Sequence, residues 1–286
     1  MTVLTALQQQ LDFTATERRI ANYMLTHLDK MPTVLIKELA AATYTSHSAI
    51  IRLAQKLGYH GFRDFQRALT TAAAQVQPTD VNANFPFSDT DSVATIAKKM
   101  AALNVTAVQT TRQQLDTRQV ALIAQQLTRA TRILLFSQGD SQLRARSFQN
   151  KLVKINRFAI IADEYADDAW NAANLTTDDV AFFISYAGTT QVHRQFAHYL
   201  KAHHVPVIVL TGNPQAPLLA DADLRLVTVQ SETHFAKVGT FASQAAFEYV
   251  LDTLFATMYA QDFQTNLARL KTNQRLMADN GPLATK

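Results

Sequence analysis

Residues 184–190 read ISYAGTT. A run of β-formers, VAFFISY over 180–186, gives way there to a glycine and two threonines, and a helix-like stretch follows. Short hydroxyl side chains and open N–H groups at a helix start attract an anion, because several donors converge with little carbon in the way. Ser185, Thr189 and Thr190 are therefore candidate ligand donors, with Gly188 shaping the turn. The alternative is that these hydroxyls only cap the helices that follow, since capping and anion binding use the same groups. Proton transfer between neighbouring carbons would require a positioned base. Glu232 and His234, in SETHF, are the nearest candidates, with Glu164 a weaker one. The plainer role for Glu232 is ligand contact, and no catalytic residue is assigned.

Such donors need rigid elements behind them. From Arg132 onward short β-rich runs alternate with helical stretches: RILLFS, RFAIIA, VAFFISY, VPVIVLT and LRLVTV are each followed by a helical segment, the last by a long one from about 240. That alternation predicts a parallel sheet covered on both faces. Gly139, Gly188 and Gly212 each lie just past a predicted strand, at the rim where open α/β sheets bind ligands. A long amphipathic region, 92–130, precedes the sheet and breaks near Asp116–Thr117. Its apolar stripe (Val93, Ile96, Met100, Leu103, Ala107) serves either a partner subunit or its own domain. VQPTDVNANFPFSDTDS, 76–92, is rich in Pro, Asp and Asn and reads as a linker. The expected organisation is 1–77 as one domain, 78–91 as linker and 92–286 as a second domain with its core at about 120–260.

The N-terminal quarter is all helix by pattern. TATE, Thr14 to Glu17, is a capping box ahead of Ile20, Met24 and Leu28. A helix over 36–42, a short turn and a Ser46-capped helix over 46–57 have the lengths of a helix-turn-helix. Ile50, Leu53, Ala54 and Leu57 share the inward face. Ser48, Arg52 and Gln55 point the other way, with Ala49 and Lys56 at the edge and Ser46 and His47 in the first turn. Arg, Gln and an Ala methyl are side chains that read base edges in the major groove. Lys37, Arg63 and Arg67 suit phosphate contacts. Residues 1–77 hold 8 Lys/Arg against 5 Asp/Glu, whereas the remainder holds 19 against 18, so most of the +4 net charge sits on this quarter. A helical docking domain with a merely solvated polar face would share the pattern.

Resemblance adds to this. IKELAAATYTSHSAIIRLAQKLGYHGFRDFQRAL is similar to the N-terminal helix-turn-helix of the RpiR family of bacterial transcription regulators. The family's pattern falls on Ile36, Glu38, Leu39, Ala40, Ser46, Arg52, Lys56, Leu57, Gly58, Tyr59, Gly61 and Phe62. Where that family has Ala-Gly-Val in the turn, this chain has Thr43, Tyr44 and Thr45. A tyrosine there costs energy if the position has positive φ. In the same family the second domain resembles the sugar isomerase (SIS) fold, a three-layer α/β parallel-sheet sandwich that binds phosphosugars. NLTTDDVAFFISYAGTT resembles the family line SNLTPGDVVIAISYSGET, which places Ser185, Gly188 and Thr190 at phosphate-contact positions, and of the family's first loop, Gly-x-Gly-x-Ser, SQGDS retains Gly139 and Ser141 as implied effector contacts.

Three residues depart from that pattern. Ala187 replaces a second serine, the loss of a donor to a charged acceptor worth about 1.5–3 kcal/mol if the contact is made. Ser137 replaces a glycine. Asp140 sets a carboxylate beside the cradle, where at roughly 6 Å a like charge costs about 3 kcal/mol. Either Asp140 points away, or Lys151 or Lys237 offsets it, or the effector is less anionic than a phosphosugar or the site is degenerate.

Composition bounds the rest. The 286-residue chain is 48% hydrophobic and has no cysteine, which excludes disulfides and thiolate metal sites. His203 and His204 are adjacent, and His193 and His198 five apart, so neither pair has ligand spacing on a helix. These histidines are expected on solvated helix surface, and Trp170, Phe182 and Phe183 in the core. No metal or cofactor is expected. MTVLTALQQQ lacks a basic segment ahead of an apolar core, and no apolar run approaches a membrane span, so a cytoplasmic protein is expected. The reading is a transcriptional regulator of sugar metabolism, not an enzyme. It would bind double-stranded operator DNA, probed as a palindrome by a homodimer or higher homo-oligomer, and a small effector of the sugar-phosphate class. The alternatives are a phosphosugar isomerase with an accessory helical domain, and a helical docking module without DNA.

Overall fold

A computed structural model of the chain describes residues 3, 6, 7, 10, 12–27, 30–75, 81–164, 167–232, 237–278 and 281–284. The chain divides into two units, Met1–Thr79 and Asp80–Lys286.

In the first unit the described helices are α1 (Ala15–Thr26), α2 (Ile36–Ala42), α3 (His47–Lys56) and α4 (Phe62–Gln75). The capping box forms: Glu17 N–H donates to Thr14 Oγ1 at 3.3 Å, and Thr14 N–H to Glu17 Oε2 at 2.7 Å. Ile20, Met24, Leu39, Ile50, Leu53, Phe65 and Leu69 are completely buried and form one core. Gln66 on α4 donates to the carbonyls of Met31 (2.7 Å) and Val34 (2.9 Å), so the connection between α1 and α2 is held by a side chain.

The second unit begins with helices α5 (Val93–Gln114), capped by Ser92, and α6 (Thr117–Arg129), capped by Asp116. The described part of the expected linker, 81–91, is packed rather than free. Ala83 is buried with Leu103, Ala107 and Ala242, and the Asn84 carbonyl accepts from Val238 N–H at 2.9 Å. Its polar residues close local turns: Asn82 Oδ1 accepts from Asn84 N–H, and Asp91 accepts from Ser88 N–H and pairs with Lys99 at 2.6 Å. Within the apolar stripe of α5, Leu103 and Ala107 cover their own unit, while Val93 is exposed.

The sheet follows: β1 (Ile133–Ser137), β2 (Ala159–Ile161), β3 (Val180–Ile184), β4 (Val207–Thr211) and β5 (Leu224–Val227), all parallel, in the order β2-β1-β3-β4-β5. Interleaved are α7 (Asp140–Leu152), α8 (Asp168–Ala173), α9 (Gln191–Ala202), α10 (Ala242–Gln261) and α11 (Phe263–Met277). One sheet face packs Leu135, Phe182, Ile184 and Leu210 against α6, α7 and α10; the other packs Leu134, Phe136, Phe183 and Val209 against α8 and α9. Adjacent phenylalanines serve opposite faces: Phe182 meets Phe148 edge-on, and Phe183 stacks on Phe136 at 4.6 Å. This is the expected three-layer sandwich. Trp170 departs from expectation, being 68% exposed. The six-residue α8 turns Ala172 to the sheet instead, leaving the indole outside. No helix among the described residues is long and apolar enough to cross a membrane.

The entries to β1 and β3 are locked together by charge. Arg132 donates from Nε to Asp179 Oδ1 (3.0 Å) and from an η nitrogen to Oδ2 (2.6 Å), while Thr176 gives Oδ2 two further donors. Burial pushes the Asp179 carboxyl up, but Arg132 and Thr176 outweigh it and hold the group below the ordinary 3.8. Its contribution to stability is therefore present above that value and fades as pH falls through the lowered folded pKa. Replacing Asp179 by Ala strands two donors and a cation beside the sheet. Urea unfolding at neutral pH is expected to show a loss of about 3 kcal/mol, shrinking in acid where the carboxylate no longer helps the parent protein.

Candidate functional site

Strands β1 and β3 are neighbours, yet their following helices, α7 and α9, lie on opposite faces of the sheet. The two loops part at the strands' C-terminal ends and leave a crevice, the position at which ligands enter such sheets. A cleft of about 240 Å³ occupies it, lined by Gln138, Asp140 and Ser141 from one loop and Ser185–Ala187, Thr189, Thr190 and His193 from the other. Lys237, Thr240, Ser243 and Gln244 close the third side. A larger hollow at the opposite end of the sheet contains the Lys201–Asp223 ion pair and lies away from these loops.

The loop geometry requires its glycines. Gly188 has φ +62°, and a Cβ there would stand 2.4 Å from Ala216 Cβ, inside van der Waals contact. Gly139, with φ +56° and ψ −134°, caps α7 in a conformation open only to glycine. The β3 loop is pinned from β4: Thr211 Oγ1 donates to the Tyr186 carbonyl (2.9 Å) and Asn213 to the Ala187 carbonyl (3.1 Å). Tyr186 in turn accepts at its hydroxyl from Ser231 and Glu232 N–H, both at 3.0 Å, fixing the chain after β5. Of the expected effector residues, Ser141, Ser185, Thr189 and Thr190 line the cleft, and Gly139 and Gly188 shape it.

Glu232 is placed differently. Its side chain is fully buried behind the cleft and takes three donors: Ser243 N–H (2.9 Å), Ser243 Oγ (2.7 Å) and Lys237 Nζ (3.0 Å). Ser243 lies in the first turn of α10, so Glu232 acts as that helix's N-terminal carboxylate. Lys237, one of two lysines considered as an offset for Asp140, is thus already paired. The other, Lys151, sits at the far end of α7 against Glu248 and Asp252. Asp140 lines the cleft and accepts from Thr240 Oγ1 at 2.5 Å. Glu164 pairs with Arg146 and Gln149 away from the cleft, and His234 falls outside the described residues.

The residue that sequence reading missed is His193. Expected on solvated surface, it is 1% exposed, packs edge-on to Phe183 and lines the cleft floor with both ring nitrogens unpartnered. Burial pushes the imidazole below its ordinary value and keeps it neutral. The signal existed in the helix period: His193, Ala197 and Leu200 are the buried residues of α9 and share one face. Among the described residues no cluster of His, Asp or Glu could hold a metal ion.

In the first unit, Ile50, Leu53 and Ala54 of α3 are buried, and His47, Ser48, Arg52 and Gln55 are exposed, as is Lys37 on α2. Ser46 caps the helix through Ala49 N–H (3.2 Å), and Ala49 is half-buried against the core. Lys56 is committed elsewhere. It donates to Glu17 (2.9 Å) and the Asp12 carbonyl (2.6 Å) and lies over the Phe13 ring, an internal anchor between α3 and α1. The turn before α3 has the hydrogen bonds of a Schellman motif: Thr45 N–H to the Ala40 carbonyl (2.9 Å) and Tyr44 N–H to that of Ala41 (3.2 Å). Tyr44 occupies its left-handed position, φ +51°, with the side chain 87% exposed.

A helical unit presenting the polar face of α3, followed by a parallel α/β unit with a ligand cleft at its switch point, is the architecture of a ligand-responsive helix-turn-helix regulator. Residues 1–76 match the family model described as helix-turn-helix domain, rpiR family, and 126–260 match that of the SIS domain. The chain is a transcriptional regulator that combines an rpiR-family helix-turn-helix domain with a SIS domain. It is 28% identical over 254 residues, 87% of each chain, to an uncharacterized HTH-type regulator, YbbH, of Bacillus subtilis. A second such regulator, from the aarA 3′ region of Providencia stuartii, is 28% identical with 84% of each chain covered. The Vibrio vulnificus NanR protein, solved in complex with ManNAc-6P, matches over 100% of both chains with a TM-score of 0.60 at 23% identity.

Tyr44→Gly relieves a left-handed backbone without removing a packed side chain. Thermal and urea unfolding are expected to show a gain of about 1 kcal/mol. Unchanged or lower stability would mean that the exposed ring makes a contact worth the strain.

Proposed function

We propose that the protein reads double-stranded DNA with α3 and adjusts that binding to a sugar-derived metabolite, a phosphosugar or its close kin, held in the cleft between the β1 and β3 loops. The observation that carries the first half is the exposed row of His47, Ser48, Arg52 and Gln55 on a helix whose other face is core. Arg52 and Gln55 suit base edges; Ser46, Ala49 and His47 suit the groove wall, and Lys37 a phosphate. Lys56, held by Glu17, supplies stability in place of a DNA contact. For the second half, the support is the cradle of Ser141, Ser185, Thr189 and Thr190 and the sugar phosphate bound by NanR. We place the boundary between the two functions near residue 80, with 81–91 belonging to the effector unit.

A single helix-turn-helix of this size reads a half-site, so a homodimer or higher homo-oligomer on a palindromic operator is the expected assembly, acting in the cytoplasm. Effector changes DNA affinity only to the extent that it binds the DNA-competent arrangement more or less tightly than the other. Against the isomerase alternative stands Glu232, the carboxylate expected to serve as base, whose oxygens are occupied by Ser243 and Lys237.

The test is fluorescence anisotropy on duplexes from around the protein's own gene. Specific binding is expected to weaken steeply with salt, and Arg52→Ala to cost about 1–3 kcal/mol of discrimination. Lys56→Ala is expected to lower stability by about 0.5–1 kcal/mol while leaving the salt slope unchanged. Failure to bind any of these duplexes would sink the DNA half of the proposal.

A further inference from the structure

Two parts of the cleft present different chemistry. The part at the start of α9 offers donors. Ser185 Oγ accepts from Gly188 N–H at 3.3 Å and keeps its own proton free to give. Thr190 stands at the N-cap of α9 without a side-chain capping bond, so its hydroxyl is not consumed by the helix. Donors gathered at a helix start suit an anion, and they report little about the molecule that carries it.

The floor is of another kind. His193, in the first turn of α9, is 1% exposed and packs edge-on to Phe183, and neither ring nitrogen has a hydrogen-bond partner among the described residues. Burial keeps the ring neutral, so it offers one donor and one acceptor. Gln244 on α10 brings an amide oxygen, also buried and unpartnered, to the same cleft. Such groups cost free energy while they stay unmatched. The other buried residues of α9, Ala197 and Leu200, carry no polar side chain, so the packing of that helix does not call for a histidine. A phosphate dianion has no proton for an accepting nitrogen or an amide oxygen. A hydroxyl gives and takes at once, and an acetamido N–H gives; both belong to the sugar.

We infer that His193 and Gln244 are the residues that discriminate among sugar phosphates: the Ser185–Thr190 cradle holds the phosphate, and the floor reads a hydroxyl or amide group on the sugar that bears it. The inference rests on the reading of this cleft as the effector site and assigns the specificity-determining residues within it.

The experiment is isothermal titration of the full chain with glucose 6-phosphate, fructose 6-phosphate, N-acetylglucosamine 6-phosphate and N-acetylmannosamine 6-phosphate, with inorganic phosphate as the anion alone. Wild type is expected to prefer one of the four over the weakest by about tenfold or more. His193→Leu removes both nitrogens. It is expected to weaken the preferred ligand by about tenfold and to flatten the preference, while affinity for inorganic phosphate stays within about twofold. Gln244→Met is expected to act in the same direction, and it carries the test alone if His193→Leu loses its thermal transition. A wild type without preference, or a preference that the folded variants retain, overturns the inference and leaves the cleft as the effector site. Loss of phosphate affinity in step with that of the sugar phosphates also overturns it, because the two residues would then only support the cradle. A wild type that binds no member of the panel overturns the inference and the effector reading together.

Discussion

The divergence of α7 and α9 from adjacent strands is the constraint on which the effector unit depends. Because β1 and β3 pair in parallel with Ser137 opposite Ile184, their C-terminal ends emerge side by side. Their chains must then turn to opposite faces, and no backbone remains to fill the space between them. Both turns are sharp enough to need positive φ at Gly139 and Gly188. The β4 loop braces the second turn from beneath, through Thr211 and Asn213. Tyr186 carries that rigidity onward to residues 231 and 232, which deliver Glu232 to the start of α10. The chemistry at the rim therefore follows from strand order, and side-chain choice then decides what the rim accepts.

The same separation between scaffold and choice appears in the helical unit. Ile50, Leu53 and Ala54 fix α3 against the core, and Lys56 and Glu17 fasten its far end to α1. That leaves the polar residues of its first turns to vary without affecting the fold. The turn before α3 shows how strongly the surrounding bonds are imposed. Thr43 is buried and donates to the Leu39 carbonyl at 2.7 Å, and it shares a hydrogen bond with Thr45 at 2.8 Å. These contacts hold the residue between them in the left-handed region even though it is a tyrosine, at a cost of about 1–2 kcal/mol. A strained, exposed aromatic residue beside a reading helix is a specific feature of this chain.

Much of this was legible in the amino-acid sequence, for identifiable reasons. The five strands are buried on both faces, so each is an unbroken apolar run that periodicity finds easily. Thr14, Ser46 and Asp116 mark helix starts by local chemistry alone. The failures cluster where a side chain's partner is distant or an element is short. Glu232 looks like a ligand contact until Lys237 and Ser243, further along the chain, are seen to saturate it. The helix α8 is too short to show a period, so nothing in the sequence marks Trp170 as outward-facing. The spacing of His193 to other histidines is uninformative, whereas its spacing to Ala197 and Leu200 places it on the buried face. The stretch 81–91 has the composition of a tether, yet Ala83 and Asn84 tie it to Leu103, Ala107 and Val238, contacts that composition does not reveal.

Asp140 and Thr240 join across the cleft mouth, linking the start of α7 to the loop that leads into α10. That bond is exposed and single, whereas Glu232 beneath it is buried and held by three donors. Exchanging that one exposed hydrogen bond costs little, whereas unpairing the buried carboxylate costs several kcal/mol. The floor beneath carries His193 and Gln244 Oε1, buried and without hydrogen-bond partners. The Asp140–Thr240 mouth is thus the more easily rearranged part, while the buried Glu232–Ser243 pair fixes the start of α10.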